Sequence, residues 1–192
     1  MRKKKEAALR LLIYFSALVV LAAGITLNVK TGLGVSPIIS VAHVFSLILS
    51  CTVGDTTFVL YTAFVIAEMA VHCAAGMKRE GKIPGPLLVK DLLQLPLSLV
   101  FTRIMNVFDA VIPQLDALPE ISFFSSAAGR FSALAAAIVL TGIGAAASLD
   151  MRLVPNPRDG IVQTLADAAG KETGLVNYPT LKKGRLAKAL VD

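Results

Sequence analysis

The chain has 192 residues, 55% of them hydrophobic, with a mean hydropathy of +0.72. Several apolar runs reach the roughly 20 residues needed to cross a ~30 Å hydrocarbon core, which makes this a multi-pass membrane protein with the lipid bilayer as its first partner. The net charge of +6 sits in short hydrophilic segments with no accompanying aromatic and basic surface, so it reads as orientation signal and headgroup contact, and nucleic acid is excluded as an expected partner.

The first span is about residues 8–29, preceded by the basic MRKKKEAALR, which places the N-terminus in the cytoplasm. LAAG resembles a signal-peptide cleavage site, but cleavage would cut into a repeated unit at Gly24. Residues 30–36, KTGLGVS, carry two glycines and precede Pro37, so an extended or turned backbone should lead into a short helix from Ile38 to about Ser50. A second span covers 56–75, and the basic loop GMKREGKIPGP follows it. Positive-inside bias puts that loop in the cytoplasm, which requires 30–55 to start and finish outside. The third span, about 87–111, is interrupted by Pro96, which should kink it. The fourth, about 128–149, is rich in Ala, Gly and Ser, as suits close helix approach.

Residues 24–54 are echoed without a gap at 144–174. Gly24/Gly144, Leu33/Leu153, Pro37/Pro157 and Gly54/Gly174 are identical pairs in one register. Ser36-Pro37 and Asn156-Pro157 are the same physical device, a capping residue followed by a proline suited to the first helical turn. The second copy, RDGIVQTLADAAG, is too polar to span, so each copy reads as a short helix that dips into the membrane or lies at its surface. Three spans separate the two starts, which is the parity of an inverted-topology repeat. The reading is a single integral membrane domain: repeat 1 at about 8–111, a truncated repeat 2 at about 128–175, and a polar basic tail at 176–192. The fold class is an all-α membrane protein with four full transmembrane helices and two short re-entrant or interfacial helices.

By the repeat's logic a last helix is missing after Gly174. The helix over 157–170 should then be interfacial and weakly packed, with Ile161, Val162, Leu165 and Ala169 at the membrane surface or against a partner. Lys182, Lys183, Arg185 and Lys188 would lie near anionic headgroups, in a segment that does not cross.

GLGVSPI, the Gly54 unit, LVPNPRDGIVQ and GKETG together resemble the YczE/YyaS/YitT group of bacterial integral membrane proteins. The resemblance covers about 8–175 and implies a five- or six-helix inner-membrane protein without established biochemical activity, with a further helix after the second motif. This chain departs from it there, and at Ile39, where some relatives carry Asp as this chain does at Asp159.

Three groups of residues are candidates for function. On the third span Asp91, Gln94, Ser98, Thr102, Asn106 and Asp109 form one polar stripe over about 27 Å of helix. The stripe either lines a solute pathway or forms a hydrogen-bonded helix interface with Asp91 and Asp109 at the headgroup boundaries. Arg103 lies off the stripe and either snorkels outward or pairs with Asp109. Glu68 and His72, one turn apart on the second span, are either a proton-coupling pair or an interfacial pair at the membrane edge. The helix caps Ser36, Pro37, Asn156 and Pro157 either bring two helix N-termini together to favour an anionic group or brace the bundle from its surface. His43 has no evident partner and reads as packed.

Cys51 and Cys73 lack CxxC spacing and fall on opposite faces, so neither a disulfide nor a metal is indicated. Without a nucleophile motif or a phosphate-binding glycine loop, neither an enzyme nor a cofactor is expected. The function expected is a small-solute transporter of unknown substrate in the bacterial inner membrane, the alternative being a non-transporting subunit or regulator; a homo-oligomer or a membrane partner is compatible with either. The stripe should outweigh the Glu68/His72 pair, with Asn106→Leu disruptive and His72→Gln mild.

Overall fold

The computed structural model describes residues 2–80, 85–119, 123–151, 154 and 156–169, with side chains for 8–77, 85–119, 123–151, 154 and 156–166. Within them the chain forms α1 (Arg2–Lys30), α2 (Pro37–Leu49), α3 (Val53–Glu80), α4 (Gly85–Val111), α5 (Ala127–Asp150) and α6 (Pro157–Ala169), with single 3-10 turns at Leu115–Ala117 and Phe123–Ser125. No strand occurs among the described residues. Four stretches, Ala8–Lys30, Val53–Met77, Gly85–Ala117 and Ala127–Asp150, are long and apolar enough to cross a membrane. The fold is therefore that of an all-α membrane protein. Its outer surface carries exposed Leu12, Ile66, Val107, Ile138 and Val139, a surface that suits lipid and not water. The segment 176–192, with its expected headgroup contacts, lies outside the described residues.

α1 is the central helix. Tyr14, Leu18, Leu21, Ala22, Ile25 and Val29 are buried on it at helical spacing, and that face packs on α5 and α4. α5 answers with small residues, Gly129, Ala133, Ala137, Gly144 and Ser148, spaced to share one face. The approach is closest at two points. A Cβ on Gly24 would lie 2.6 Å from Thr141 N, and one on Gly144 would lie 2.5 Å from Leu21 N. The two contacts are reciprocal: Leu21 stands to Thr141 as Gly24 stands to Gly144.

Just past α1 lies Gly32, whose φ of +65° is one a side chain would oppose, and the chain then runs without helix to Ser36. Pro37 starts α2, and Ser50 closes it in the left-handed region at φ 52°. Thr52 caps the start of α3: its Oγ1 accepts from Asp55 N at 3.1 Å and lies 2.7 Å from Asp55 Oδ2. α2 folds back along the first part of α3, where Thr56 Oγ1 donates to Ala42 O at 2.8 Å.

α3 and α4 are antiparallel and in a single register. Asn106 pairs with Asp55, the rings of Tyr61 and Phe101 stack at 6.3 Å, Gln94 pairs with Glu68, and Asp91 pairs with His72. Gly54 permits the close approach at one end, because a Cβ there would collide with Asn106 Oδ1 and Thr102 O. α4 remains helical through Pro96, whose ring is exposed.

The placement of α6 corrects the sequence-based expectation. Pro157, Gly160, Ile161, Thr164 and Ala166 are buried, and Val162 and Leu165 are exposed, so one face is packed and only the other is free. The packed face lies on α3: a Cβ on Gly160 would lie 2.5 Å from Glu68 Oε1, and Thr164 Oγ1 is 3.3 Å from His72 Nε2. Upstream, Tyr14 Oη donates to Val154 O at 3.0 Å and ties the approach segment to α1 inside its span. The Tyr61 hydroxyl of α3 reaches toward Asn156, just before α6. Tyr61 is eight residues from the start of α3, about 12 Å along it, while Met77 is about 24 Å further on. The start of α6 thus lies beside the α3 span, between Tyr61 and Glu68. Ile161 is buried because α6 is tucked beside α3 and not laid across its end.

Candidate functional site

The polar stripe of α4 faces inward as its periodicity predicts. Asp91, Gln94, Ser98 and Thr102 are buried, whereas Asn106 and Asp109 are half-buried. It does not face a uniform environment, and it resolves into three layers.

At one end Asn106 Nδ2 donates to Asp55 Oδ1 at 3.1 Å, and Thr52 Oγ1 lies 2.8 Å from Asn106 Oδ1. Thr52 has one hydroxyl hydrogen, so it serves Asp55 or Asn106 at any moment, not both. Arg103 Nη1 reaches the same Asp55 Oδ1 at 3.0 Å. Arg103 therefore pairs with Asp55 and not with Asp109, because Asp109 is engaged by Lys30 of α1 at 2.8 Å. In the middle, Ser98 and Thr102 donate to the carbonyls of Leu95 and Leu99 on their own helix, at 2.9 and 3.1 Å. Those hydroxyls satisfy themselves and hold no partner across the interface.

The third layer is an ionisable cluster. Gln94 Nε2 donates to Glu68 Oε2 at 2.6 Å, and His72 Nδ1 lies 2.7 Å from Asp91 Oδ2. The expected Glu68/His72 pair and the stripe are one network: each member of the pair finds its partner on α4, not on its helical neighbour. Four residues on α3 match three on α4, so the two contacts form adjacent rungs between antiparallel helices. Thr164 of α6 closes the cluster over His72, and Gly160 lies over Glu68. Glu68 is 1% exposed, which places it inside the protein.

Two oxygens in this layer, Glu68 Oε1 and Gln94 Oε1, are buried and have no protein partner. The Tyr61 hydroxyl, two turns from Glu68 along α3, is in the same condition: it is fully buried and reaches toward Asn156 without a hydrogen bond of good geometry. His43 Nδ1 is also buried and unpartnered.

The helix caps behave differently from each other. Asn156 Oδ1 accepts from Arg158 N at 3.3 Å, and its carbonyl accepts from Asp159 N and Gly160 N, so the first amides of α6 are already used. Arg158 pairs with Asp159 at 3.3 Å. Ser36 makes no side-chain cap, and it and Pro37 are exposed. No cluster of three metal-ligating side chains occurs among the described residues.

Sequence reasoning missed Tyr61, Gly160, Thr164, Asp55 and Lys30. Two of these had a local signal: Asp55 in its T-x-x-D cap, and Gly160 as a glycine inside a helix, which often marks close packing. Tyr61 and Thr164 look like ordinary span and helix residues, and only the fold brings them to the cluster.

No curated protein and no solved structure matches the chain. A family model does match, over residues 8–179, which takes in all four spans and both short helices. The chain belongs to the family described as a family of unknown function, DUF6198.

Proposed function

We propose that this protein is a small-solute transporter whose moving part is α6 and whose coupling groups are Glu68, His72, Asp91 and Gln94. One observation carries the reading: two buried acids, Glu68 and Asp91, and a half-buried histidine meet between two membrane-spanning helices, under a re-entrant helix. Ionisable groups at such depth are costly to maintain and default to functional roles, as in proton relays and ion pathways. The stripe residues Ser98 and Thr102 continue the route toward Asn106 and Asp109.

Alternating access requires two halves that rock about a shared site, and an inverted repeat supplies them. Support for that repeat lies in the register of the elements. α1 and α5 end at Lys30 and Asp150, and α2 and α6 start at Pro37 and Pro157, the same displacement as the Gly24/Gly144 pair. The reciprocal contacts Gly24 with Thr141 and Leu21 with Gly144 are those of a pseudo-two-fold axis between α1 and α5. An inner-membrane location with a cytoplasmic N-terminus, and kinship with the YczE/YyaS/YitT group, belong to the same proposal.

The test is accessibility at Ser98, 2% exposed in this conformation. In a protein with Cys51→Ser and Cys73→Ser, a Ser98→Cys thiol should react with small impermeant reagents from both sides of the membrane. A thiol protected from both sides defeats the transport reading and favours a subunit that buries the stripe.

A further inference from the structure

We propose that Glu68 is a proton-binding site, occupied in this conformation: Glu68 is held as the neutral carboxylic acid, and α6 seals the proton in. The inference rests on the transport reading only for its use; the site itself would stand in a non-transporting protein.

Gln94 Nε2 donates to Glu68 Oε2, leaving Glu68 Oε1 and Gln94 Oε1 buried without a protein donor. An ionised carboxylate and an amide oxygen are both acceptors, so neither relieves the other. One proton on Glu68 Oε1 changes that, because an acid and an amide side by side form a ring of two hydrogen bonds. The amide N–H donates to one acid oxygen, and the acid O–H donates to the amide oxygen. Burying either oxygen unpaired is the costly alternative.

Charge points the same way. The titratable groups facing Glu68 are His72 on its own helix and Asp91 on α4; on α6 the described charges are Arg158 and Asp159, paired with each other in the first turn. His72 Nδ1 lies 2.7 Å from Asp91 Oδ2, so the imidazole is committed to Asp91 and not to Glu68. Glu68 is then left without a counter-ion in a site 1% exposed, and a buried carboxylate without one neutralises instead. A charged Glu68 would make the cluster net negative.

Gly160 completes the site. A Cβ there would lie 2.5 and 2.9 Å from the two carboxyl oxygens, so α6 rests its backbone directly on the acid and keeps water from it. Release of the proton to water therefore requires α6 to lift, and the resulting carboxylate opposes its return.

The protonated carboxyl has its own infrared carbonyl band, distinct from that of a carboxylate. Wild-type protein in lipid bilayers at neutral pH should show this band, and Glu68→Gln should lack it. A second measurement follows α6: an Ile161→Cys thiol in the Cys51→Ser, Cys73→Ser background, its labelling normalised to a thiol kept at exposed position 51 in a parallel protein. Protection should be lost as pH rises past the band's midpoint, and in Glu68→Gln it should persist across the range. Absence of the band at neutral pH overturns the proposal, since Glu68 would be an ionised group served by water. A band present alongside pH-independent α6 labelling overturns the seal. Neither readout depends on Ser98 accessibility, so failure here and failure of the transport reading are separable.

Discussion

Two glycines on α5 stand two residues apart and face opposite environments, which permits a controlled test of the α1–α5 contact. A Cβ on Gly144 would lie 2.5 Å from Leu21 N, 2.7 Å from its Cα and 2.8 Å from its Cβ, whereas one on Gly142 meets nothing within 4 Å. Non-bonded carbons are comfortable at about 3.5–4.0 Å, so Gly144→Ala must push the helices apart by roughly 1 Å. The atoms in the way are mostly backbone, which cannot rotate aside. Overpacking of this kind costs about 1–3 kcal/mol. Both substitutions gain the same intrinsic helix propensity, about 1 kcal/mol, so their difference isolates the steric cost. Gly144→Ala should therefore be about 1–3 kcal/mol less stable than Gly142→Ala, measured by denaturant titration in mixed micelles with a thermal midpoint as a check. Gly24→Ala, whose Cβ would meet Thr141 N and Oγ1 at 2.6 Å, presses on the same helix pair. The double substitution should thus cost less than the sum of the singles, because helices already separated accept the second methyl more easily. Equal stability of the Gly142 and Gly144 variants would refute the close approach, and full additivity would refute the shared pseudo-two-fold contact.

Asn106→Leu removes the donor to Asp55 and the neighbour of Thr52, and should cost about 1–3 kcal/mol by the same titration, with Arg103 left as the cross-helix partner of Asp55. His72→Gln, expected from the sequence to be mild, should instead be comparably destabilising: His72 Nδ1 lies 2.7 Å from Asp91 Oδ2, and losing it leaves a carboxylate that is 4% exposed without its partner. Asp91→Asn should restore stability in the His72→Gln background, and a double-mutant cycle showing no coupling would refute the pairing. Gly160→Leu should expose an Ile161→Cys thiol at every pH, since its side chain has no room over Glu68.

Much of the framework was legible in the residues alone. A bilayer demands spans of a certain length and satisfied backbones, so apolar runs are a nearly one-dimensional signal, and all four appear within a few residues of their expected limits. The inward face of α4 was equally plain, because a polar stripe at helical spacing has only one direction to avoid lipid. What the sequence left open was which group meets which. Glu68 and His72 look like partners at one turn's spacing, but a side chain pairs with what the neighbouring helix presents, and α4 presents Gln94 and Asp91. Arg103 was weighed against the acid of its own helix and met Asp55, since Lys30 already held Asp109. Ile161 looked interfacial because α6 is polar along its length, and only its docking on α3, made possible by Gly160, buried that face. Local pattern fixes where a helix runs and which side faces inward. The pairing of buried groups depends on register and distance between helices remote in sequence, and tertiary packing alone decides it.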